Sequence, residues 1–329
     1  MSINEIAKHL NVSKSTVSLV INGKAEQGRI SQALAERILT YVQEIGYKPN
    51  VFAKSLATGR SHTIGLIVEN ISDSFYGPIA LHIEKYLRKI GYHVFYSSTL
   101  GSIELGNTIV ETMLDKKVEG LIVCPTNQME TSLEAIQKQQ IPLVIFDRKA
   151  GDMATNYVGT DNYGGSLLAV DHLLENGFQQ IGLVTNDSTQ SQMIDRLNAY
   201  TDKLSQEGFH ATILRLDFQA DALEKAEQIK VFLRENPQLD ALYFTTNYLC
   251  IAGLKAIQAL NREGSYAIIS FDDHELFELL QPAISCVEQP VAQIAQEAIN
   301  LLFKQKKSPD LPLQQVIIPS KLIKRKSTC

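Results

Sequence analysis

From residue 62 onward short apolar runs alternate with stretches of helical periodicity, and this rhythm limits the possible folds more than any other feature of the chain. The runs 63–68, 93–96, 120–123 and 142–146 read as strands, and so do 181–184, 211–214, 241–245 and 267–270. Amphipathic stretches at 76–90, 162–176, 220–235 and 248–260 lie between them. Strands joined through a helix pair in parallel, and the helices then cover both faces of the sheet. No repeat of solenoid period and no low-complexity stretch interrupts the pattern. A chain of 329 residues also exceeds what one hydrophobic core organises, so more than one structural unit is expected.

Composition narrows the class. Hydrophobic residues make up 44% and charged residues 20% of the chain, the balance of a soluble globular protein. No apolar run approaches the ~20 residues that span a bilayer. The start, Met1-Ser2-Ile3-Asn4-Glu5, lacks the basic-then-apolar pattern of an export signal. Cys124, Cys250, Cys286 and Cys329 are dispersed, which suits a reducing cytoplasm and gives no support for zinc. There is no G-x-S-x-G elbow, no G-x-x-x-x-G-K-[ST] loop, no G-x-G-x-x-G after a strand and no H-E-x-x-H. Asp272-Asp273-His274 holds metal-ligating residue types, but neighbours at a strand end point in different directions. No metal, cofactor or catalytic residue is therefore expected, and the Lys324-Arg325-Lys326 tail reads as a solvated end.

The first sixty residues differ from the rest. They carry eight Lys/Arg against four Glu, a net +4, which leaves −9 for the remainder of a chain whose net charge is −5. A basic head on an acidic body suits a polyanionic partner for the head alone. Ser2-x-x-Glu5 forms a capping box before Ile3, Ile6, Ala7 and Leu10, one face of a short helix. Ser13 caps a second helix with Val17, Val20 and Ile21 inward, which stops at Asn22-Gly23. A third starts at Ser31, carries Leu34, Ile38, Tyr41, Val42 and Ile45, and ends at Gly46. Two short helices joined by a three-residue turn make a helix-turn-helix, although periodicity alone fits any small helical bundle equally well. The polar face of the second helix tips the balance. Lys14, Ser15, Thr16, Ser18 and Asn22 are short or flexible hydrogen-bonding groups of the kind that meet base edges and phosphates.

The stretch INEIAKHLNVSKSTVSLVING, residues 3–23, resembles the head of the LacI/GalR family of bacterial repressors. Residues 44–56, EIGYKPNVFAKSL, resemble that family's hinge, and 60–68, RSHTIGLIV, its entry into the core. The resemblance implies an α/β chain with an N-terminal all-α helix-turn-helix head (1–49), a hinge helix and linker (50–61) and an effector-binding core (62–329). That core would have periplasmic-binding-protein type I architecture: two doubly wound Rossmann-like lobes, about 62–159 plus 291–318 and about 160–288 plus 319–329. The chain would cross between lobes near Gly159-Thr160-Asp161, Val287-Glu288-Gln289-Pro290 and Ile318-Pro319. The partners implied are double-stranded operator DNA, a small sugar or sugar phosphate as effector, and a second copy in a homodimer, with a tetramer possible.

DNA contacts would come from Ser13, Lys14, Ser15, Thr16, Ser18, Leu19 and Asn22 in the head, and from Asn50, Ala53 and Leu56 in the hinge. In the family, paired hinge leucines, matched here by Leu56, wedge into the minor groove and kink the duplex. A plain flexible linker is the alternative for that segment. Two departures narrow the subgroup. Leu19 stands where the family most often has Arg, and it cannot make a bidentate contact to guanine. The 23–31 loop is also longer than usual; both features are similar to the branch of fructose and sucrose repressors.

In open α/β sheets a ligand lies beyond the carboxyl ends of the strands. Those ends carry Glu69, Asn70, Asp73, Phe75, Asp147 and Arg148 in the first lobe, and Asp161, Asn247 and Asp272 in the second, with Arg196 on a following helix. Carboxylates, an amide, guanidinium groups and an aromatic ring suit a polyhydroxylated ligand. Taken singly, a residue such as Asp147 reads equally well as a helix cap or surface group. The resemblance supports joint use of Phe75, Asp147, Arg196, Asn247 and Asp272. Tyr248 replaces a common family carboxylate, and 270–280 is similar to the fructose branch, which implies fructose or a fructose phosphate. A sugar receptor or carbohydrate-modifying protein without DNA function is the alternative; the intact head favours the regulator.

Overall fold

The computed structural model describes residues 2–47 and 60–329, which fall into two compact units, Met1–Ser61 and His62–Cys329. Three helices build the first: α1 (Ile3–Leu10), α2 (Lys14–Ile21) and α3 (Gln32–Glu44). Each begins at a serine whose hydroxyl accepts a backbone amide three residues on, Ser2 from Glu5, Ser13 from Thr16 and Ser31 from Leu34. The Glu5 carboxylate returns to the Ser2 amide, completing the capping box. Asn11 takes φ 50° and ends α1, so that only Val12 and Ser13 precede α2. The apolar stripes meet in a core of Ile6, Ala7, Val17, Val20 and Ile38, with Leu10, Leu34 and Tyr41 packed around it.

The second unit holds two six-stranded sheets. The first comprises β1 (Thr63–Val68), β2 (His93–Ser98), β3 (Leu121–Val123), β4 (Leu143–Phe146), β5 (Asn156–Thr160) and β11 (Gln315–Ile318). Its order is β11-β5-β4-β3-β1-β2, parallel throughout. The second comprises β6 (Ile181–Asn186), β7 (Thr212–Leu216), β8 (Ala241–Phe244), β9 (Ala267–Phe271), β10 (Ser285–Glu288) and β12 (Lys321–Ile323). Its order is β12-β10-β9-β8-β6-β7, parallel except for β12.

Helices cover both faces of each sheet, so central strands such as β1 and β4 are buried along nearly their whole length. α4 (Tyr76–Lys89) and α12 (Val291–Lys307) pack on one face of the first sheet, α5 (Ile103–Asp115) and α6 (Glu130–Lys138) on the other. In the second sheet α7 (Asn162–Glu175) and α8 (Ser191–Gln206) oppose α9 (Ala222–Glu235) and α10 (Asn247–Ala259). A short α11 (Glu275–Leu279) inserts Phe277 into the latter core.

The chain passes between sheets three times: from β5 into α7, from β10 into α12, and from β11 into β12. In each sheet the strand order reverses around the first strand, at β1/β3 and at β6/β8. Such switch points open a crevice at the carboxyl ends of the strands. Strands β5, β10, β11 and β12 lie outside the apolar runs read from the sequence, because each is short and mixes polar residues with apolar ones. Among the described residues, no helix is long and apolar enough to cross a membrane.

Candidate functional site

In the head, the exposed side of α2 carries Lys14 and Ser15, with Thr16 and Ser18 beside them and Asn22 just beyond the helix. The Ser13 hydroxyl lies 2.7 Å from that of Ser15 and 2.8 Å from that of Thr16, so the helix start presents a linked set of hydroxyls. Asn22 Nδ2 donates to the Ser18 carbonyl at 2.8 Å, which folds this amide back on its own helix. Leu19 is half-buried against the 23–30 loop: a Cβ on Gly28 would stand 2.7 Å from Leu19 Cδ1. The unusual leucine and the long loop are thus one packing feature, because the loop backbone seats on the side chain. Asn50, Ala53 and Leu56 lie outside the described residues.

The second unit contains a cleft of about 630 Å³ between the carboxyl ends of its two sheets. On one wall, left-handed Asp147 (φ 68°) follows β4 and receives the Tyr76 hydroxyl on Oδ2 at 2.8 Å. Arg148 Nη2 donates to the same Tyr76 oxygen at 2.8 Å and pairs with Glu69. Arg148 Nε and Nη1 are buried without a hydrogen-bond partner in the protein. Asp73 accepts the Phe75 amide at 2.8 Å, yet burial pushes its carboxyl up to about 6, with Asp272, Asp147 and Glu69 adding to the rise. Phe75 stands edge-on to Tyr76 at 5.0 Å and presents an apolar surface to the cleft.

On the other wall, Arg196 donates from Nε to Asn162 at 2.9 Å and from Nη1 to the Thr245 carbonyl at 2.6 Å. Its guanidinium lies 3.7 Å over the Phe271 ring and 3.5 Å from Asp272 Oδ2. Burial holds the Asp272 carboxyl above the usual range, although Arg196 and Gln289 act against the shift. Asp272, also left-handed (φ 69°), receives Gln289 Nε2 on Oδ1. Asn247 Nδ2 spans the cleft to Ser74 Oγ at 2.8 Å and also reaches the Asp273 carbonyl at 3.2 Å.

The cleft therefore gathers Asp73, Phe75, Asp147, Arg148, Arg196, Asn247 and Asp272. Asp161 is placed elsewhere: its carboxylate caps α7 through the Gly164 amide at 2.8 Å, and it does not line the cleft. The structure adds Thr126, Asn186, Gln192 and Gln289. Thr126 and Asn186 obey the same strand-end rule and are within its reach. Gln192 lies on the first turn of α8, and no local sequence signal distinguishes it. Thr126 Oγ1, Asn186 Oδ1 and Gln192 Oε1 are, like Arg148 Nε and Nη1, buried without a partner in the protein. The Arg325 side chain, read from the sequence as part of a solvated end, is only 10% exposed and pairs with Asp273.

Comparison with known proteins agrees with both units. Residues 2–50 match the model of bacterial regulatory proteins of the lacI family, and residues 170–328 that of a periplasmic binding protein-like domain. The ribose operon repressor of Halalkalibacterium halodurans is 28% identical over 99% of this chain and 97% of its own length. The lac repressor dimer bound to operator and the anti-inducer ONPF superposes with a TM-score of 0.86 at 23% identity, covering 100% of this chain and 99% of that one. A periplasmic binding protein/LacI transcriptional regulator from Alkaliphilus metalliredigens, solved with D-xylulofuranose, gives 0.71 at 25% identity over 82% of this chain and 100% of its own. The head thus matches a lacI-type model and the core a binding-protein-like model, and over nearly its whole length the chain is similar to transcriptional repressors of the lacI type rather than to enzymes.

Proposed function

We propose that the protein is a repressor that binds a pseudo-palindromic operator as a homodimer and loses operator affinity when a small uncharged sugar enters the cleft. The observation that carries the effector reading is the set of unsatisfied polar atoms on the cleft walls. Arg148 Nε and Nη1 are donors, Asn186 Oδ1 and Gln192 Oε1 are acceptors, and the Thr126 hydroxyl is either. Buried polar groups without partners are costly, and hydroxyls that both donate and accept would relieve them.

The charge balance favours a neutral ligand over a phosphate. Glu69, Asp73, Asp147, Asp187 and Asp272 line the cleft, against Arg148, Arg196 and Lys225. Arg148 is already paired with Glu69, and Arg196 with Asn162 and Thr245. Lys225 is held by the carbonyls of Phe218 and Ala220. A phosphate dianion would meet an excess of carboxylates over cations, five against three. Relatives associated with ribose and with D-xylulofuranose support a sugar, and the fructose-branch features of Leu19 and 270–280 make fructose our first choice.

On this reading Lys14 and Ser15 approach base edges, Ser13, Thr16 and Asn22 hold phosphates, and Leu19 seats the loop beside the recognition helix. Ser18 lies on the same face. Asn50, Ala53 and Leu56 would follow the family's hinge. The dimer would form along β2, the outermost strand of its sheet, where Phe95 and Tyr96 are 40% and 55% exposed and Leu100, just beyond the strand, is 61% exposed.

Calorimetric titration of fructose, ribose, sucrose and fructose 1-phosphate into the full chain, with operator affinity measured in parallel, tests the proposal. Binding of a neutral sugar with loss of operator affinity is expected. Binding of the phosphate alone would overturn the neutral-ligand reading. Operator affinity that does not fall as salt rises would remove DNA binding as the function.

A further inference from the structure

Asp272 and Asp273 follow β9 with their carboxylates in opposite directions, one toward the cleft and one toward the chain's last residues. Arg325 meets Asp273 with a fork: Nη1 donates to Oδ1 at 2.8 Å and Nη2 to Oδ2 at 2.7 Å. Nη1 also reaches the Ile284 carbonyl at 2.9 Å, and Nη2 the Glu278 carboxylate at 3.0 Å. The Arg325 backbone is held as well, since its amide donates to Ser285 Oγ at 2.8 Å. Three residues on, Thr328 is fully buried and bonded to His172 and Ser285. The guanidinium therefore projects from an anchored hook rather than from a loose tail.

What Asp273 does next connects this hook to the cleft. Its carbonyl receives Asn247 Nδ2, and it directly follows Asp272, whose left-handed backbone (φ 69°) turns the chain at the end of β9. Two cleft residues on different elements thus adjoin Asp273, Asn247 by a hydrogen bond and Asp272 along the chain. Arg325 clamps Asp273 from outside the cleft.

We infer that Arg325 is a positioning residue for the effector site, acting through its fork on Asp273 to hold the 271–274 turn that carries Asp272 and receives Asn247. The inference rests on the cleft being the effector site. A lysine at 325 keeps the charge but donates from a single nitrogen and cannot form the fork.

Amide exchange on the full-length, ligand-free protein is the test, comparing wild type with Arg325→Lys and, from the other side of the pair, Asp273→Asn. The amides of Asp272, His274 and Phe277, bonded to Val287 O, Asp273 Oδ1 and His274 O, should exchange about tenfold faster in both variants. Those of β6 and β8 should keep wild-type rates. Sugar affinity, measured with fructose, ribose and sucrose, should fall about tenfold while operator affinity without sugar stays unchanged. Wild-type exchange at 272–277 would overturn the inference. So would a loss of protection spread evenly over the lobe, which would make Arg325 an ordinary stabilising residue. If none of the three sugars binds wild type, the effector reading fails by itself, and the exchange pattern still decides the role of Arg325.

Discussion

Replacing Asp73 by Asn should stabilise the core unit at pH 8, with most of the gain lost by pH 4.5. The carboxyl rises from an ordinary 3.8 to about 6 because burial at the cleft wall penalises its charged form, and the neighbouring carboxylates add to the penalty. A raised native pKa means that the folded state holds the proton more tightly than the unfolded chain. The stability linked to that proton is complete below about pH 3.8 and is lost as pH rises through about 6. A rise of this size corresponds to about 3 kcal/mol above that window. Because Asp73 opens onto the cleft, solvent lowers the expected value to about 1–2 kcal/mol. Asparagine keeps an oxygen for the Phe75 amide, 2.8 Å away in the native protein, so the turn at 73–75 should survive. Linkage with these two pKa values leaves about a third of the full effect at pH 4.5. Thermal unfolding of full-length wild type and variant, followed by near-ultraviolet circular dichroism, would show a shift of about 2–5 °C at pH 8. An equal shift at both pH values, or a less stable variant at pH 8, would refute the reasoning, since each implies that the charge of Asp73 carries no folding penalty.

Lys14→Ala should change which operators are preferred, whereas Thr16→Ala, at the linked hydroxyls of the helix start, should weaken good and poor operators alike; selection from a randomised operator pool separates the two. Arg196→Lys loses the fork to Asn162 and Thr245 and the stacking on Phe271, and should weaken sugar binding by about 10–100-fold in calorimetry. Burial works against the charge of Glu119, but hydrogen bonds from Lys306, the His62 amide and Tyr92 outweigh it and hold the carboxyl at about 2. Glu119→Gln should therefore cost about 1–2 kcal/mol in chemical denaturation at pH 7, a difference that fades as pH falls from about 4.5 toward 2.

The strands most readily read from the sequence are those buried on both faces. TIGLIV, LVIF and AIISF are nearly unbroken apolar runs because helices cover them above and below. The edge strands are not readable in this way. β11 buries only Ile318, and β12 only partly buries Leu322 and Ile323, so neither differs from an ordinary surface segment. Burial in β5 and β10 depends partly on polar side chains with distant partners. Asn156 serves the Gln314 amide, and Ser285 is tied to Arg325 and Thr328. The strand-end rule picks out most of the charged cleft residues. It passes over Gln192, on the first turn of a helix, whose unpartnered oxygen is visible only once opposing walls are in place. Asp161 stands apart: its strand-end carboxylate caps α7 through the Gly164 amide and does not line the cleft.

The three crossings between sheets bear on how the protein is made. The first sheet begins with β1 at Thr63 and is completed by β11 at 315–318, and the second needs β12 at 321–323. At a synthesis rate of about 5–20 residues per second, roughly 10–50 s separate the first strand from its last sheet-mate. The head, whose contacts are local, can fold within that interval, while both lobes wait with unsealed edges. A chain stalled before residue 315 would carry a finished head on two unfinished lobes. Emergence of residues 315–323, rather than local sequence, then sets the moment at which both sheets can first close.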